Sequence, residues 1–145
     1  MKITICGSVN FAKEIIRIAK ELENNGHEVV IPASINRYGI VDSEEADALK
    51  NDREKYIKEI KPGLTKEHFN KILDGDAILV VNEEKNGIKN YIGGATFSEI
   101  MLAFHGDKKI FYLNPIPEEP KTFVDELETV SPVILNGDLE KIEWK

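Results

Sequence analysis

Cysteine is almost absent from this sequence, and long apolar runs are missing altogether. The one cysteine, Cys6, has no partner for an internal disulfide, so a reducing cytoplasm is the expected compartment. No run of about 18 apolar residues occurs, so we expect neither a transmembrane helix nor a membrane partner. The first residues run directly into a strand pattern, without the apolar core of a signal peptide. These absences predict a cytoplasmic protein.

Positive charge is scarce as well. The 26 acidic residues outnumber the 19 basic ones, which gives a net charge of −7, and the basic residues form no stripe. A nucleic acid polymer is therefore not an expected partner, because its binding needs a concentrated positive surface. A small anion is still compatible with this composition, since a local nest of backbone amides can hold one.

The familiar motifs of nucleotide, hydrolase and metal chemistry are absent too. The sequence contains no G-x-x-x-x-G-K-[ST], no G-x-G-x-x-G and no G-x-S-x-G. Its three histidines are scattered, and no Cys/His group has metal-ligand spacing. We therefore expect neither a cofactor nor a metal, and any catalysis falls to carboxylates.

What is present is a regular alternation of strand and helix patterns. Apolar runs predict strands at residues 2–6, 27–31, 77–81, 109–113 and 133–135. Helical spacing predicts helices from residue 10 to about 24, from 42 to about 60, after Thr65, over 97–104 and over 123–130. Residues 32–41 are predicted to be a loop, and Pro62-Gly63 is predicted to end the second helix.

This order of elements predicts one domain over residues 1–145. Strands separated by helices pair in parallel through right-handed crossovers. Five such strands predict a flavodoxin-like three-layer sandwich of the α/β class, with a parallel sheet in the order 2-1-3-4-5. Ligands bind such sheets beyond the carboxyl ends of the strands, here at the switch point between the first and third strands.

Three segments are predicted to line that crevice: residues 7–9, the loop over residues 82–94, and residues 114–115. The loop has 13 residues, which is long for such a connection and typical of functional loops. Asn82 and Asn114 can each hydrogen-bond a ligand or simply order a turn. Tyr91 can stack on a base or cover the loop, while Lys85 and Lys89 can meet a phosphate or stay solvated.

The sequence "NYIGGATFSEI" ends this loop and has two interpretations. Thr96 and Glu99 have the spacing of a capping box, in which case Gly93 and Gly94 form only a turn. In the functional interpretation, the glycines let a substrate approach the backbone and Glu99 acts as a nucleophile or base. Glu99 lies off the apolar stripe of its helix, so it is free to face the crevice.

Three stretches in order, "ICGSVNFAKEIIRIAKELENNGHEVVIP", "DAILVVN" and "GGATFSEIMLAF", carry a family resemblance. Together they resemble the nucleoside 2-deoxyribosyltransferase family and its relatives that hydrolyse deoxynucleoside monophosphates. The resemblance covers roughly residues 1–115. It implies that Glu99 attacks the anomeric carbon of a 2-deoxyribosyl group and holds the sugar as a covalent ester until water or a second base takes it.

The resemblance also implies roles for other residues. Gly7 and Ser8 would frame the sugar or a 5′-phosphate, and Gly93, Gly94 and Thr96 would present backbone amides to the same end of the substrate. A homodimer or larger homo-oligomer is the expected assembly, since relatives complete their pockets with a neighbouring subunit.

The chain departs from the family pattern at three places. His68 stands where the family commonly has an acid on the helix before the third strand, and it either moves protons or is a partly exposed helix residue. Gly93 stands where another family acid recognises the base, with Asn90 the nearest polar candidate. The arginine that follows the Gly-Ser loop in the monophosphate hydrolases is replaced by Val9-Asn10.

Three functions therefore stay open from the sequence. The first is cleavage or transfer at the N-glycosidic bond of a nucleoside or its 5′-monophosphate through Glu99. The second is a nucleotide-binding or sensing module that keeps the pocket without turnover. The third is an interaction domain in which Thr96 and Glu99 form only a helix cap.

Overall fold

All five predicted strands form one parallel sheet, and they do so in the predicted order. The computed structural model describes residues 1–143. The strands are β1 (Lys2–Cys6), β2 (Glu28–Val30), β3 (Ala77–Val80), β4 (Lys109–Tyr112) and β5 (Val133–Ile134). They pair in parallel as β2-β1-β3-β4-β5. The flavodoxin-like α/β prediction is thereby confirmed.

Helices cover both faces of the sheet because side chains alternate along each strand. Ile3 and Ile5 of β1 point to one face and pack with buried residues of α1 (Ala12–Asn24). Cys6, Ile78 and Val80 point to the other face. That second face is covered by α5 (Lys61–Asp74), α6 (Gly94–His105) and α7 (Lys121–Thr129). Cys6 therefore lies on the same side of the sheet as helices α5 and α6.

The segment after β2 contains a helix where the sequence predicted a loop. Helix α2 (Ala33–Tyr38) begins directly after Pro32 and ends at Gly39, whose φ of 64° is left-handed. A proline with its fixed φ suits the residue next to a helix start, and a left-handed glycine suits its end. The prediction of a loop over residues 32–41 was therefore wrong, because short helices lack enough turns to show a clear period.

The predicted helix over residues 42–60 is divided. Helix α3 (Ser43–Leu49) is capped by Asp42, whose Oδ1 accepts a hydrogen bond of 2.9 Å from the Glu45 backbone N–H. A new helical segment starts at α4 (Arg53–Lys55), with Asp52 as its N-cap. Both starts follow the usual rule that Asp caps helices with its side-chain oxygen.

Pro62 and Gly63 do not end a helix, which corrects the second boundary prediction. A π-helical turn (Tyr56–Ile60) leads directly into α5, and Pro62 occupies the first turn of that helix. The helical run is therefore continuous through Pro62, and the hydrogen-bond ladder adjusts to the proline by a π-helical turn just before it. Thr65, predicted to cap a short helix, lies inside α5.

The loop between β3 and α6 is ordered by a tight turn. Lys85 and Ile88 form an antiparallel bridge across Asn86 and Gly87, whose φ values are 52° and 82°. Asn-Gly is the sequence best suited to two successive positive φ angles. The loop therefore carries Lys85 at a defined place beside the end of β1. Within residues 1–143, no helix has the length and apolar character needed to cross a membrane.

Replacing Gly63 by alanine tests the correction at Pro62-Gly63. A Cβ at Gly63 meets no atom within 4 Å, and the residue lies inside the continuous helical run over residues 53–74. Alanine there should raise the free energy of unfolding by about 0.5–1 kcal/mol, because glycine loses more backbone entropy in a helix. Urea denaturation monitored by circular dichroism would measure this change.

Gly7→Ala is the matched control for that experiment. A Cβ at Gly7 would lie 2.9 Å from the Val81 backbone oxygen, and the strand ends leave little room for either to move. This variant should lose about 1–3 kcal/mol of stability. A loss of stability in Gly63→Ala would show that the chain does not continue as a helix through residue 63.

Candidate functional site

A cavity of about 270 Å³ opens at the carboxyl ends of β1 and β3. This is the switch point of the sheet, because the chain places β2 on one side of β1 and β3 on the other. This is the place at which sheets of this topology bind ligands. Its volume is close to the lower end of the range for small-molecule pockets, about 300–1,000 Å³. Most of the residues proposed from the sequence line it. They are Gly7, Ser8, His68, Tyr91, Gly93, Gly94, Thr96 and Glu99.

Asn82, Asn114 and Asn90 lie outside that lining. Asn82 is fully buried, and its side-chain amide donates 3.0 Å hydrogen bonds to the carbonyl oxygens of Asn114 and Pro115. Its Oδ1 accepts from the Asn114 backbone N–H at 2.9 Å. The Asn114 side chain in turn donates to the Asn82 carbonyl at 3.0 Å. This reciprocal pair joins the ends of β3 and β4, while Asn90 sits in the loop with a φ of 56°.

Thr96 and Glu99 do not form a capping box. Helix α6 has Gly93 as its N-cap, and no side chain caps it. Thr96 is already inside the first turn and is buried, and Glu99 follows one turn later. A Cβ at Gly93 would lie 2.8 Å from the Tyr91 hydroxyl, so the ring occupies the space of a side chain there. The helix start therefore leaves Glu99 available to the cavity.

Glu99 forms a compact cluster with two residues from other elements. His68 Nε2 lies 3.8 Å from a carboxyl oxygen of Glu99 and 3.6 Å from Cys6 Sγ. The three side chains come from α6, α5 and the end of β1, and the three atoms lie within 4.8 Å of one another. Only 13% of the Glu99 side chain and 6% of the His68 side chain are exposed. Cys6 lies beneath them and is fully buried.

Burial leaves both Glu99 and His68 uncharged near neutral pH. Desolvation raises the pKa of Glu99 to about 8, although the Cys6 thiol and Lys61 partly oppose this. Desolvation and nearby Lys71 lower the pKa of His68 to about 4. Burial also raises the pKa of the Cys6 thiol well above its usual value. The Glu99–His68 contact at pH 7 is therefore between a carboxylic acid and a neutral imidazole.

Positive charge also collects in the lining of the cavity. Lys50 and Lys85 both donate to the same atom, Asn10 Oδ1, at 3.0 and 3.3 Å. Lys85 also donates to Ser8 Oγ at 3.2 Å. The Asn10 amide group is held in turn by Ser43 Oγ at 2.9 Å and by a carboxylate of α3. The two ammonium groups are therefore directed to one point beside the Gly-Ser turn.

These two lysines are arranged to receive an anion. Burial lowers the pKa of Lys50, and Lys85 lowers it further by repulsion, while Asp47 opposes the shift. Burial also lowers the pKa of Lys85. An anion between the two ammonium groups would relieve both effects. Lys61 lines the same cavity, whereas the Lys89 side chain is exposed outside it.

Sequence reasoning missed Lys50, Lys61 and the contact of Cys6 with the cluster. Lys50 follows α3 and Lys61 starts α5, in segments with no recognisable motif. The Asn-Gly turn did give a signal for Lys85, because it fixes the loop that carries it.

Comparisons with known proteins leave the family of this chain open. No family model, no curated protein and no solved structure matches it.

Glu99→Gln should stabilise the protein in a pH-dependent way. The folded protein keeps a proton on Glu99 between pH 4.5 and about 8, where the unfolded chain has released it. Stability contributed by this group is thus present at low pH and lost as pH rises to about 8. Each unit of raised pKa is worth about 1.4 kcal/mol, so the variant should gain a few kcal/mol relative to wild type between pH 5 and pH 8.5.

Urea denaturation of both proteins at the two pH values would measure the difference. Glu128→Gln, an exposed change on α7, is the matched control and should stay within about 0.5 kcal/mol of wild type. An equal effect of Glu99→Gln at pH 5 and pH 8.5 would contradict the burial of an uncharged carboxyl.

Proposed function

We propose that the protein cleaves or transfers the N-glycosidic bond of a 2-deoxynucleoside 5′-monophosphate through Glu99. The observation that carries this proposal is that one cavity is lined by two chemically different groups of side chains. One group is a buried carboxyl beside His68, and the other is two lysines that converge beside Ser8. A nucleotide has the matching polarity, with an anionic phosphate and an electrophilic anomeric carbon.

The carboxyl beside His68 supports chemistry of the retaining glycosidase kind. Ionised Glu99 attacks the anomeric carbon, and the C–N bond breaks with its electron pair going to the base, which takes up a proton. The sugar then stays on Glu99 as an ester until water or another base attacks. Glu99 releases its proton to solvent before the attack, because the pKa of His68, about 4, is too low for its neutral ring to hold that proton. A developing positive charge on the sugar favours the ionised carboxylate.

The two lysines support a phosphate at the 5′ position. Charge-assisted hydrogen bonds from two ammonium groups are among the strongest contacts a phosphate makes in proteins. The first residues of α6 also line the cavity, and the N–H groups of a first helical turn have no helical partner. Such a helix start attracts anions as well. Lys50 and Lys85 would take the place of the arginine that the monophosphate hydrolases carry.

The family resemblance agrees with this arrangement. The place of the family acid on the helix before the third strand is held by His68, and that residue contacts Glu99 instead of facing solvent. The place of the second family acid is held by Gly93, against which the Tyr91 ring packs. The Lys85 Nζ atom lies 5.0 Å from the centroid of this ring, so Tyr91 belongs with the cationic group of the cavity and helps to hold Lys85 in place.

A second candidate is a nucleotide-binding module without turnover. It is favoured by the raised pKa of Glu99, about 8, because the protonated carboxyl is a poor nucleophile at neutral pH. Such a module would use the same cavity and the same lysines. Turnover separates the two candidates.

Base release should depend on Glu99 and on pH. Wild type and Glu99→Gln are incubated with pooled 2-deoxynucleosides and their 5′-monophosphates, with and without an acceptor base, and free base is measured by chromatography. Wild type should release base, and Glu99→Gln should not. The kcat/KM of wild type should rise about tenfold per pH unit below about 8 and then level off, as Glu99 ionises.

The outcomes distinguish the candidates. Base release by both proteins would remove Glu99 from the mechanism. Nucleotide binding by both proteins without base release would favour the binding module. The plateau should be followed between pH 6.5 and 9, above the second phosphate pKa of about 6.

The lysines should set the preference for a 5′-phosphate. Lys85→Met should raise KM for the monophosphate about 10- to 100-fold and leave the unphosphorylated nucleoside nearly unchanged, because a charged hydrogen bond is lost. Lys50→Met should act in the same direction. Lys89→Met, in the same loop but outside the cavity, is the matched control and should behave like wild type. Equal losses for both substrates would place the phosphate elsewhere.

A further inference from the structure

The cluster beneath the cavity has the donor set of a metal site that sequence spacing could not reveal. Cys6, His68 and Glu99 contribute one sulfur, one nitrogen and one oxygen, all within 4.8 Å of one another. Thiolate, imidazole and carboxylate are the ligands that Zn²⁺ takes in proteins. His68 and Glu99 lie on different helices and Cys6 lies on a strand, so only the fold brings the three residues together.

The separations of these atoms fit tetrahedral coordination. With Zn–S of about 2.3 Å and Zn–N and Zn–O of about 2.0–2.2 Å, tetrahedral ligands lie about 3.3–3.6 Å apart. The Cys6 Sγ to His68 Nε2 distance is 3.6 Å, and the His68 Nε2 to Glu99 Oε2 distance is 3.8 Å. The third separation, between Cys6 Sγ and the Glu99 carboxylate, is within 4.8 Å, so the carboxylate would move toward the thiol to complete the geometry. Glu99 and His68 line the cavity, so a fourth position would be open to it.

His68 supplies a second, independent observation. Its Nδ1 is buried, and among residues 1–143 no group forms a hydrogen bond of acceptable geometry with it. The Ile5 backbone is near enough to favour a protonated ring. When Nε2 binds a metal, the ring proton is fixed on Nδ1. That N–H is then a stronger hydrogen-bond donor to a neighbouring backbone carbonyl. Nε2 itself already faces the thiol and the carboxyl.

We propose that Cys6, His68 and Glu99 bind one Zn²⁺ ion, with its fourth coordination position directed into the cavity. The thiolate and the carboxylate together balance the charge of the ion, so the buried site becomes neutral overall. Mg²⁺ and Ca²⁺ are excluded because they require several oxygen ligands, and the cluster has one carboxylate. The bound ion takes the carboxyl that the glycosidic reaction needs, and Zn²⁺ therefore competes with that reaction.

Direct metal binding tests the site without any substrate. Tag-free protein is treated with a chelator and then titrated with Zn²⁺ by calorimetry, and separately with Co²⁺ in an absorption spectrometer. Wild type should bind one equivalent of Zn²⁺, and excess Mg²⁺ should not displace it. The Co²⁺ form should show a thiolate-to-metal charge-transfer band and the intense visible bands of four-coordinate cobalt.

Ligand variants and a matched histidine control complete the test. Cys6→Ser, His68→Gln and Glu99→Gln should each weaken Zn²⁺ binding at least tenfold, and Cys6→Ser should abolish the charge-transfer band. His105→Gln, an exposed change at the end of α6, should bind like wild type. Circular dichroism identifies any variant that has failed to fold, and the Co²⁺ spectrum of wild type tests the thiolate ligand independently of all variants.

Two results would overturn the proposal. One is failure of wild type to bind a stoichiometric ion, and the other is Co²⁺ binding without a charge-transfer band. Zn²⁺ binding and base release are tested independently, because base release is measured in the presence of a chelator. If base release is found, added Zn²⁺ should inhibit it and the chelator should restore it.

Discussion

The parallel pairing of β1 with β3 is the constraint on which the candidate site depends. Cys6 pairs with Val80, and the Val81 backbone N–H donates to the Cys6 carbonyl at 2.8 Å. The next residue, Gly7, passes so close to the Val81 carbonyl oxygen that a side chain would collide with it. The chain must therefore turn away from the sheet at Gly7. The connection after β1 leads to α1 on one face, and the connection after β3 leads to α6 on the other face. The opening that results is the cavity.

The low solvent exposure of Glu99 and His68 then sets their protonation states inside the cavity. The same burial that raises the pKa of Glu99 lowers that of His68, so the pair holds one proton and no net charge near pH 7. Such a pair can be ionised by a developing cation, or by a metal that binds both groups. Two lysines of the cavity lining converge on Asn10 Oδ1, which places positive charge there although the protein has a net charge of −7. One cavity thus contains both the uncharged Glu99–His68 pair and two lysines that can attract an anion.

The sequence predicted the sheet well and the helix boundaries less well. Strands such as residues 77–81 are recognisable because a continuous apolar run has few alternatives to a buried parallel strand. The boundary at Pro62-Gly63 was wrong because a π-helical turn over Tyr56–Ile60 accommodates the proline, and the helical run continues past it. The capping box at Thr96 was one of two interpretations, and it failed because α6 starts two residues earlier, at Gly94. Local patterns fix the type of an element more firmly than its ends.

The sequence by itself determined the α/β order, the switch-point location of the site, and Glu99 as its candidate carboxyl. These follow from periodicity and chain order, which are local properties. Only the tertiary structure decided that Cys6 and His68 meet Glu99, and that Lys50 and Lys85 share one acceptor. It also decided that Asn82 and Asn114 bond each other and lie outside the lining of the cavity. Distances between side chains 30 to 90 residues apart in the chain depend on how helices pack on the sheet, and that packing leaves no local trace in the sequence.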